Sequence, residues 1–236
     1  LICRTEKTFN QESKKKISLF CNLSMDSVIM LENAKTIYEV PIKLFNEGLL
    51  KKLNNHFNFK FKIKTNLELW EQFVLKFLAL ENEINVAIVG KYTNLPESYK
   101  SINEALFHSG IYKNTKVKIS WIDSRKIKTL ENARNTFKKY HGILVPGGFG
   151  KDGSLGKINA IKISKELQIP FLGICFGMQL AILESIRNLK GFEKSSSTEF
   201  GLTNLPVISM MHEWEKNKKI HKQDLSNLGG SMRLGS

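Results

Sequence analysis

No apolar run in this chain approaches the roughly 20 residues that a membrane-spanning helix requires. Cysteine is scarce. Cys3, Cys21 and Cys175 are the whole set; none stands in a C-x-x-C pair, and an odd number argues against a disulfide framework. No metal-ligand spacing appears among them, and a reducing, cytoplasmic compartment fits best. Acidic residues are short too, 22 against 36 lysines and arginines, for a formal net charge of +14. That excess raises nucleic acid as a partner. Nucleic-acid binders gather their basic residues on one face with aromatic platforms among them. Here the lysines are scattered among asparagine and isoleucine, and runs such as Lys14-Lys15-Lys16 read as solvated surface. Neither nucleic acid nor a membrane is expected as a partner, although a basic cleft suits an anionic ligand. A G-K-[ST] phosphate loop, internal repeats and low-complexity tracts are also missing. The chain opens on Leu1 with no secretory apolar core behind it, which reads as a truncation rather than a processed signal.

What is present is an ordinary globular composition, 42% hydrophobic and 25% charged over 236 residues, enough for one large domain or two small ones. The pattern changes near residues 58–83. Before it, apolar stretches at 17–23, 28–31 and 36–41 precede Ile42, Phe45, Leu49, Leu50 and Leu53. That spacing predicts one amphipathic helix with Gly48 as a weak point. Residues 66–81 predict a second helix leading onward. From Ile84, short apolar runs at 86–90, 117–122, 142–145 and 171–174 alternate with helical spacing from Ser98, at 130–140, 156–167 and 178–188. Buried strands alternating with helices predict an α/β fold, a doubly wound and mostly parallel sheet over 84–236. Residues 1–57 are a thin core, the end of something larger. Ligands of such sheets sit beyond the carboxyl ends of the strands.

Two strand ends carry unusual residues. Gly173-Ile174-Cys175-Phe176-Gly177 has the G-x-nucleophile-x-G form with cysteine as the nucleophile. A sharp strand-to-helix turn needs small residues on either side. It would set the thiol at a helix N-terminus, where the dipole favours thiolate, and aim the Phe176 amide at an oxyanion. The pentapeptide alone is also compatible with a buried cysteine between packing glycines. Val145-Pro146-Gly147-Gly148-Phe149-Gly150 ends the preceding strand, and the Gly148 amide is the expected second oxyanion donor, since glycine lets substrate approach the backbone. A plain glycine-rich turn is the competing reading, and the single G-x-G-x-x-G match at 148–153 is weak. Such a nucleophile needs a base. His56 and His108 fall on helices, His141 lies at the wrong end of a strand, and His212 and His221 lie in a polar hairpin or loop. None is assigned.

These strings, with Ser197-Thr198-Glu199-Phe200, resemble the CTP synthase family, and the match runs nearly end to end. It takes in residues 2–4, 16–21, 36–41, 70–71, 89–92, 98–101, 122–124 and 228–235. The resemblance implies a class I glutamine amidotransferase domain, flavodoxin-like, over 84–236. A partial α/β amidoligase segment at 1–57 and a linker with its helix at 58–83 precede it. It implies a ligase that makes CTP from UTP with ATP and Mg²⁺, fed with ammonia from glutamine, activated by GTP, and assembled as a homotetramer. Cys175 is then the nucleophile. Gly148, Phe176, Gly177, Met178 and Gln179 line the glutamine site, and Glu199 holds the substrate ammonium. Lys16 matches a lysine linked to communication between the half-reactions.

The ATP, Mg²⁺ and UTP sites are expected ahead of Leu1, and the histidine and glutamate partners of Cys175 beyond Ser236, so the fragment alone is expected to be inactive. Where the family has Arg-Gly and then Glu-Gly, this chain has Asp152-Gly153 and Leu155-Gly156, which puts activation by GTP in question. The alternatives are another class I amidotransferase, a free-standing glutamyl hydrolase, or a catalytically silent binding or assembly module of the same fold.

Overall fold

The computed structural model describes residues 1–6, 10–59, 67–91, 93, 96–148, 150–209, 213–216 and 219–222, the last two stretches and Pro96 by backbone only. The chain divides into two compact units, Leu1–Glu81 and Asn82–Ser236.

In the first unit β1 (Ile2–Thr5) and β2 (Ile29–Glu32) pair in parallel, with α1 (Gln11–Phe20) in the connection. Asn10 caps α1 by accepting the Ser13 amide at 2.9 Å, which satisfies one of the free donors of the first turn. The expected single helix after Pro41 is two, α2 (Val40–Asn46) and α3 (Leu49–His56). Gly48 separates them with φ +75°, a left-handed conformation that ends one helix and caps the next. Pro41 falls in the first turn of α2, where its missing N–H leaves no helical bond unmade. The helix expected around 66–81 is α4 (Leu67–Leu78). It packs within this unit: the Trp70 indole donates to the Tyr38 carbonyl at 2.8 Å, and the Tyr38 ring meets Phe73 and Phe77 edge-on at 5.3 and 5.5 Å.

In the second unit four parallel strands run β3 (Asn82–Gly90), β4 (Thr115–Asp123), β5 (Gly142–Val145) and β6 (Phe171–Gly173), in the spatial order β4-β3-β5-β6. The chain steps outward from β3 to β4 and returns on the other side of β3 as β5. The order therefore reverses at β3/β5, and ligands gather outside such a switch point. Helices α5 (Lys100–Tyr112), α6 (Leu130–Phe137) and α7 (Ser154–Glu166) make the crossovers, and α8 (Phe176–Arg187) follows β6. The core includes Phe137, Ile143, Val145, Ile163, Phe176, Leu180 and Leu183, from α6, β5, α7 and α8.

The helix expected from Ser98 starts as a single 3-10 turn at Pro96–Tyr99 before α5. α7 and α8 each start two residues earlier than their spacing predicts, because the glycines ahead of them are already in the turn. Beyond α8, β7 (Ser196–Ser197) pairs in parallel with β8 (Pro206–Ile208), and β9 (Glu213–Lys216) pairs antiparallel with β10 (Lys219–Lys222). No helix of the described residues is long and apolar enough to cross a membrane.

Candidate active site

The glycine loop and the cysteine bend stand at the carboxyl ends of β5 and β6. Cys175 links β6 to α8 with φ 52° and ψ −112°, one of five non-glycine residues at positive φ among the described residues. Such strain persists only where the surroundings over-determine it, and here they do. A Cβ on Gly173 would stand 2.8 Å from the Gly177 backbone, and one on Gly177 would run into the Val145 carbonyl oxygen. The Ile174 amide bonds Val145 O at 2.9 Å, so the bend is pinned to β5. Within the bend the Gly177 amide is committed to Ile174 O at 2.9 Å and the Gln179 amide to Cys175 O at 3.1 Å. Cys175 itself is exposed and caps α8, so its sulfur meets the positive end of a helix dipole.

The diglycine after β5 lies against this cysteine. A Cβ on Gly147 would be 3.5 Å from Cys175 Cβ and 3.9 Å from its sulfur. Gly148 and Gly150 take φ +113° and +96°, values that side-chain-bearing residues rarely adopt. Phe149 lies outside the described residues.

Sequence reasoning missed Lys157. It sits on α7, 1% exposed, and its ammonium donates to the Gly148 carbonyl at 3.3 Å while lying 5.3 Å from the centre of the Phe176 ring. Burial above all, then the neighbouring Lys91 charge, pushes its pKa from 10.5 to about 8, with the Cys175 thiol pulling the other way. Helical spacing held a signal: Lys157 shares its face with Ala160, Ile161 and Ser164, all buried.

Glu199 also reaches the glycine loop. Its Oε1 accepts the Gly150 amide at 2.7 Å. The residue stands on a single 3-10 turn, Thr198–Phe200, capped by Ser197, whose Oγ accepts the Glu199 amide at 3.2 Å. Phe200 meets the Phe176 ring edge-on at 6.2 Å, which ties the turn to the start of α8. The structure thus brings Cys175, Gly148, Phe176, Gly177 and Glu199 together. Phe176 is 1% exposed, so only its backbone can face a ligand. Met178 is exposed and Gln179 half-buried on the same first turn of α8.

Gly153 and Gly156 instead face the turn after β4: a Cβ on Gly153 would strike the Ser124 hydroxyl, and one on Gly156 the Ser124 carbonyl. Asp152 and Leu155 are exposed beside it. Arg125, from the turn after β4, hydrogen-bonds Asp123 and lies within electrostatic reach of Asp152. The Arg125 hydrogen bond holds the Asp123 carboxyl below the usual carboxylate range.

Several expected groups lie elsewhere. Lys16 is exposed on α1 in the first unit, and His56 ends α3 there. His108 lies in α5. His141 stands at the amino end of β5, where its Nδ1 accepts the Asn85 amide at 3.0 Å, a structural role. His212 lies outside the described residues, as does the 228–235 string, and only the backbone of His221 is described, in β10. Among the described residues no three His, Cys, Asp or Glu side chains converge as a metal site.

Comparison with known proteins bears on the family and the fold. Residues 94–236 match the family model "Glutamine amidotransferase class-I", and residues 1–59 match "CTP synthase N-terminus". A CTP synthase of Sinorhizobium medicae is 44% identical over all of this chain and 44% of its own length. One of Pelagibacter ubique is also 44% identical, again over 100% of this chain and 44% of its own. The chain therefore spans less than half the length of these relatives. Among solved structures, the glutaminase domain of Trypanosoma brucei CTPS with bound acivicin superposes with a TM-score of 0.51 at 32% identity, covering 54% of this chain and 50% of that one.

Proposed function

The chain belongs to the glutamine amidotransferase class-I family, with CTP synthases as its relatives along its whole length, and from that premise we propose that Cys175 releases ammonia from glutamine. One observation carries the reading: a strained cysteine at a helix N-terminus, exposed, with a diglycine packed against it. In this scheme the Cys175 thiolate attacks the side-chain amide carbon of glutamine. The Gly148 and Phe176 amides hold the oxyanion that forms. The leaving nitrogen takes up the proton that the thiol gave up, the C–N bond breaks, ammonia departs, and water hydrolyses the thioester to glutamate and the free thiol. Gly177, Met178 and Gln179 line the glutamine site, and the Glu199 carboxylate faces the substrate ammonium.

Residues 84–236 are then the amidotransferase domain, residues 58–83 a linker with its helix, and residues 1–57 the end of the amidoligase domain. The ammonia is consumed by amination of UTP to CTP driven by ATP with Mg²⁺ in a homotetramer, while Asp152 and Leu155, where the family has arginine and glutamate, put activation by GTP in question. None of these ligands is assigned to a residue of this chain. The resemblance to CTP synthases supports that wider assignment, as do the similar relatives.

A glutamine-analogue electrophile tests the core of the proposal, with acivicin, the ligand of the trypanosomal domain, tried first. Peptide mapping of the intact protein should place the adduct on Cys175, and Cys175→Ser should abolish both the adduct and glutamine hydrolysis. Labelling that survives in Cys175→Ser would overturn the assignment.

A further inference from the structure

Two glycines at positive φ make the 147–150 loop a poor keeper of its own shape, since glycine pays the largest entropy on ordering. Something outside the loop must hold it in front of Cys175. Three bonds do so. Lys157 takes the Gly148 carbonyl at 3.3 Å, the Ser154 hydroxyl takes the Gly150 carbonyl at 2.8 Å, and Glu199 takes the Gly150 amide at 2.7 Å. Lys157 and Ser154 both belong to α7, the helix the loop runs into. Glu199 alone of the three comes from beyond α8, 49 residues along the chain. Its turn is capped by Ser197 and is fixed to α8 by Phe200 against Phe176, the residue next to the nucleophile. The carboxylate therefore connects the cysteine bend to the glycine loop.

We infer that Glu199 is a positioning residue for the glycine loop, fixing through its Oε1–Gly150 bond the backbone that stands before Cys175. This inference rests on the proposed role of Cys175 and extends it. The second carboxylate oxygen, Oε2, has no hydrogen-bond partner among the described residues, and the side chain is only half-buried. One carboxylate can thus hold the loop with one oxygen and offer the other to an ammonium. The two duties separate by substitution. Glu199→Gln keeps an acceptor for the Gly150 amide and loses the charge. Glu199→Asp keeps the charge and is one methylene too short to reach. Glu199→Ala loses both.

Amide hydrogen exchange, read by mass spectrometry on the peptide spanning 147–153 in the ligand-free intact protein, tests this without depending on turnover. The expected order is slowest exchange in the wild type, intermediate exchange in Glu199→Gln, whose neutral acceptor makes the weaker bond, and exchange at least about tenfold faster than wild type in Glu199→Asp and Glu199→Ala, the net effect of one charge-assisted bond. Equal exchange in wild type and Glu199→Ala overturns the inference, and so does a Gln variant as fast as the Ala variant. A second arm compares two thiol reagents on Glu199→Asp and on the wild type. A carbonyl electrophile without an amino group, whose attack builds an oxyanion, should react about tenfold more slowly with the variant. Iodoacetamide, which builds none, should react alike with both. Parallel loss with both reagents overturns the positioning role. A wild type in which Cys175 is not labelled at all counts against the nucleophile assignment and leaves the exchange order to decide Glu199.

Discussion

Lys157 offers the most direct physical test of the site's electrostatics. An ammonium 1% exposed, 3.3 Å from one carbonyl and near a second lysine, has lost most of its water without gaining a carboxylate. Its pKa falls from 10.5 to about 8, so the folded chain gives up this proton before the unfolded chain does. Between those values the unfolded state binds more protons, and stability must rise with pH. Below about 8 both states are charged and the whole penalty stands; above 10.5 both are neutral and it is gone. A fall from 10.5 to about 8 corresponds to roughly 3 kcal/mol. The assay is denaturant unfolding of the wild type and of Lys157→Met, followed by circular dichroism from about pH 7 upward through that window. Subtracting the variant removes the tyrosine and surface-lysine ionisations that both proteins share. The difference should move in favour of the wild type by about 2–3 kcal/mol across the window. A difference that stays flat, or moves toward the variant, would refute the claim that this lysine is folded in as a buried charge.

Two other substitutions probe the bend itself. Cys175→Gly removes a side chain from a backbone that disfavours one. Unfolding should show the variant about 1 kcal/mol more stable, the relieved strain less the added chain entropy, while labelling by a glutamine analogue disappears. Gly177→Ala forces a methyl into the Val145 carbonyl and should cost at least about 3 kcal/mol in the same measurement. Gly191→Ala, in open space at φ +88°, should cost only about 1 kcal/mol; equal losses at the two sites would contradict the packing account.

What the chain's linear order determined is local. The alternation of short apolar runs with helical spacing specified four parallel strands and their crossover helices, because both periods arise within a few consecutive residues. The cysteine bend was equally legible, since a turn that tight needs a small residue two places before and two places after Cys175, and the glycines at 173 and 177 lie within five residues of each other. Even the break in the helix after Pro41 was marked by Gly48, although only its left-handed φ shows two helices rather than one weakened helix. Tertiary structure decided the rest. Helical spacing puts Lys157 on the buried face of α7, but only the fold sets that face onto Phe176 and the Gly148 carbonyl. Glu199 reads as a loop acid until the fold brings it to Gly150. Charge and hydrogen-bonding capacity are written in a residue's identity, but the partner that uses them is chosen by which elements become neighbours. Neighbours separated by nine or 49 positions along the chain leave no periodic trace in it.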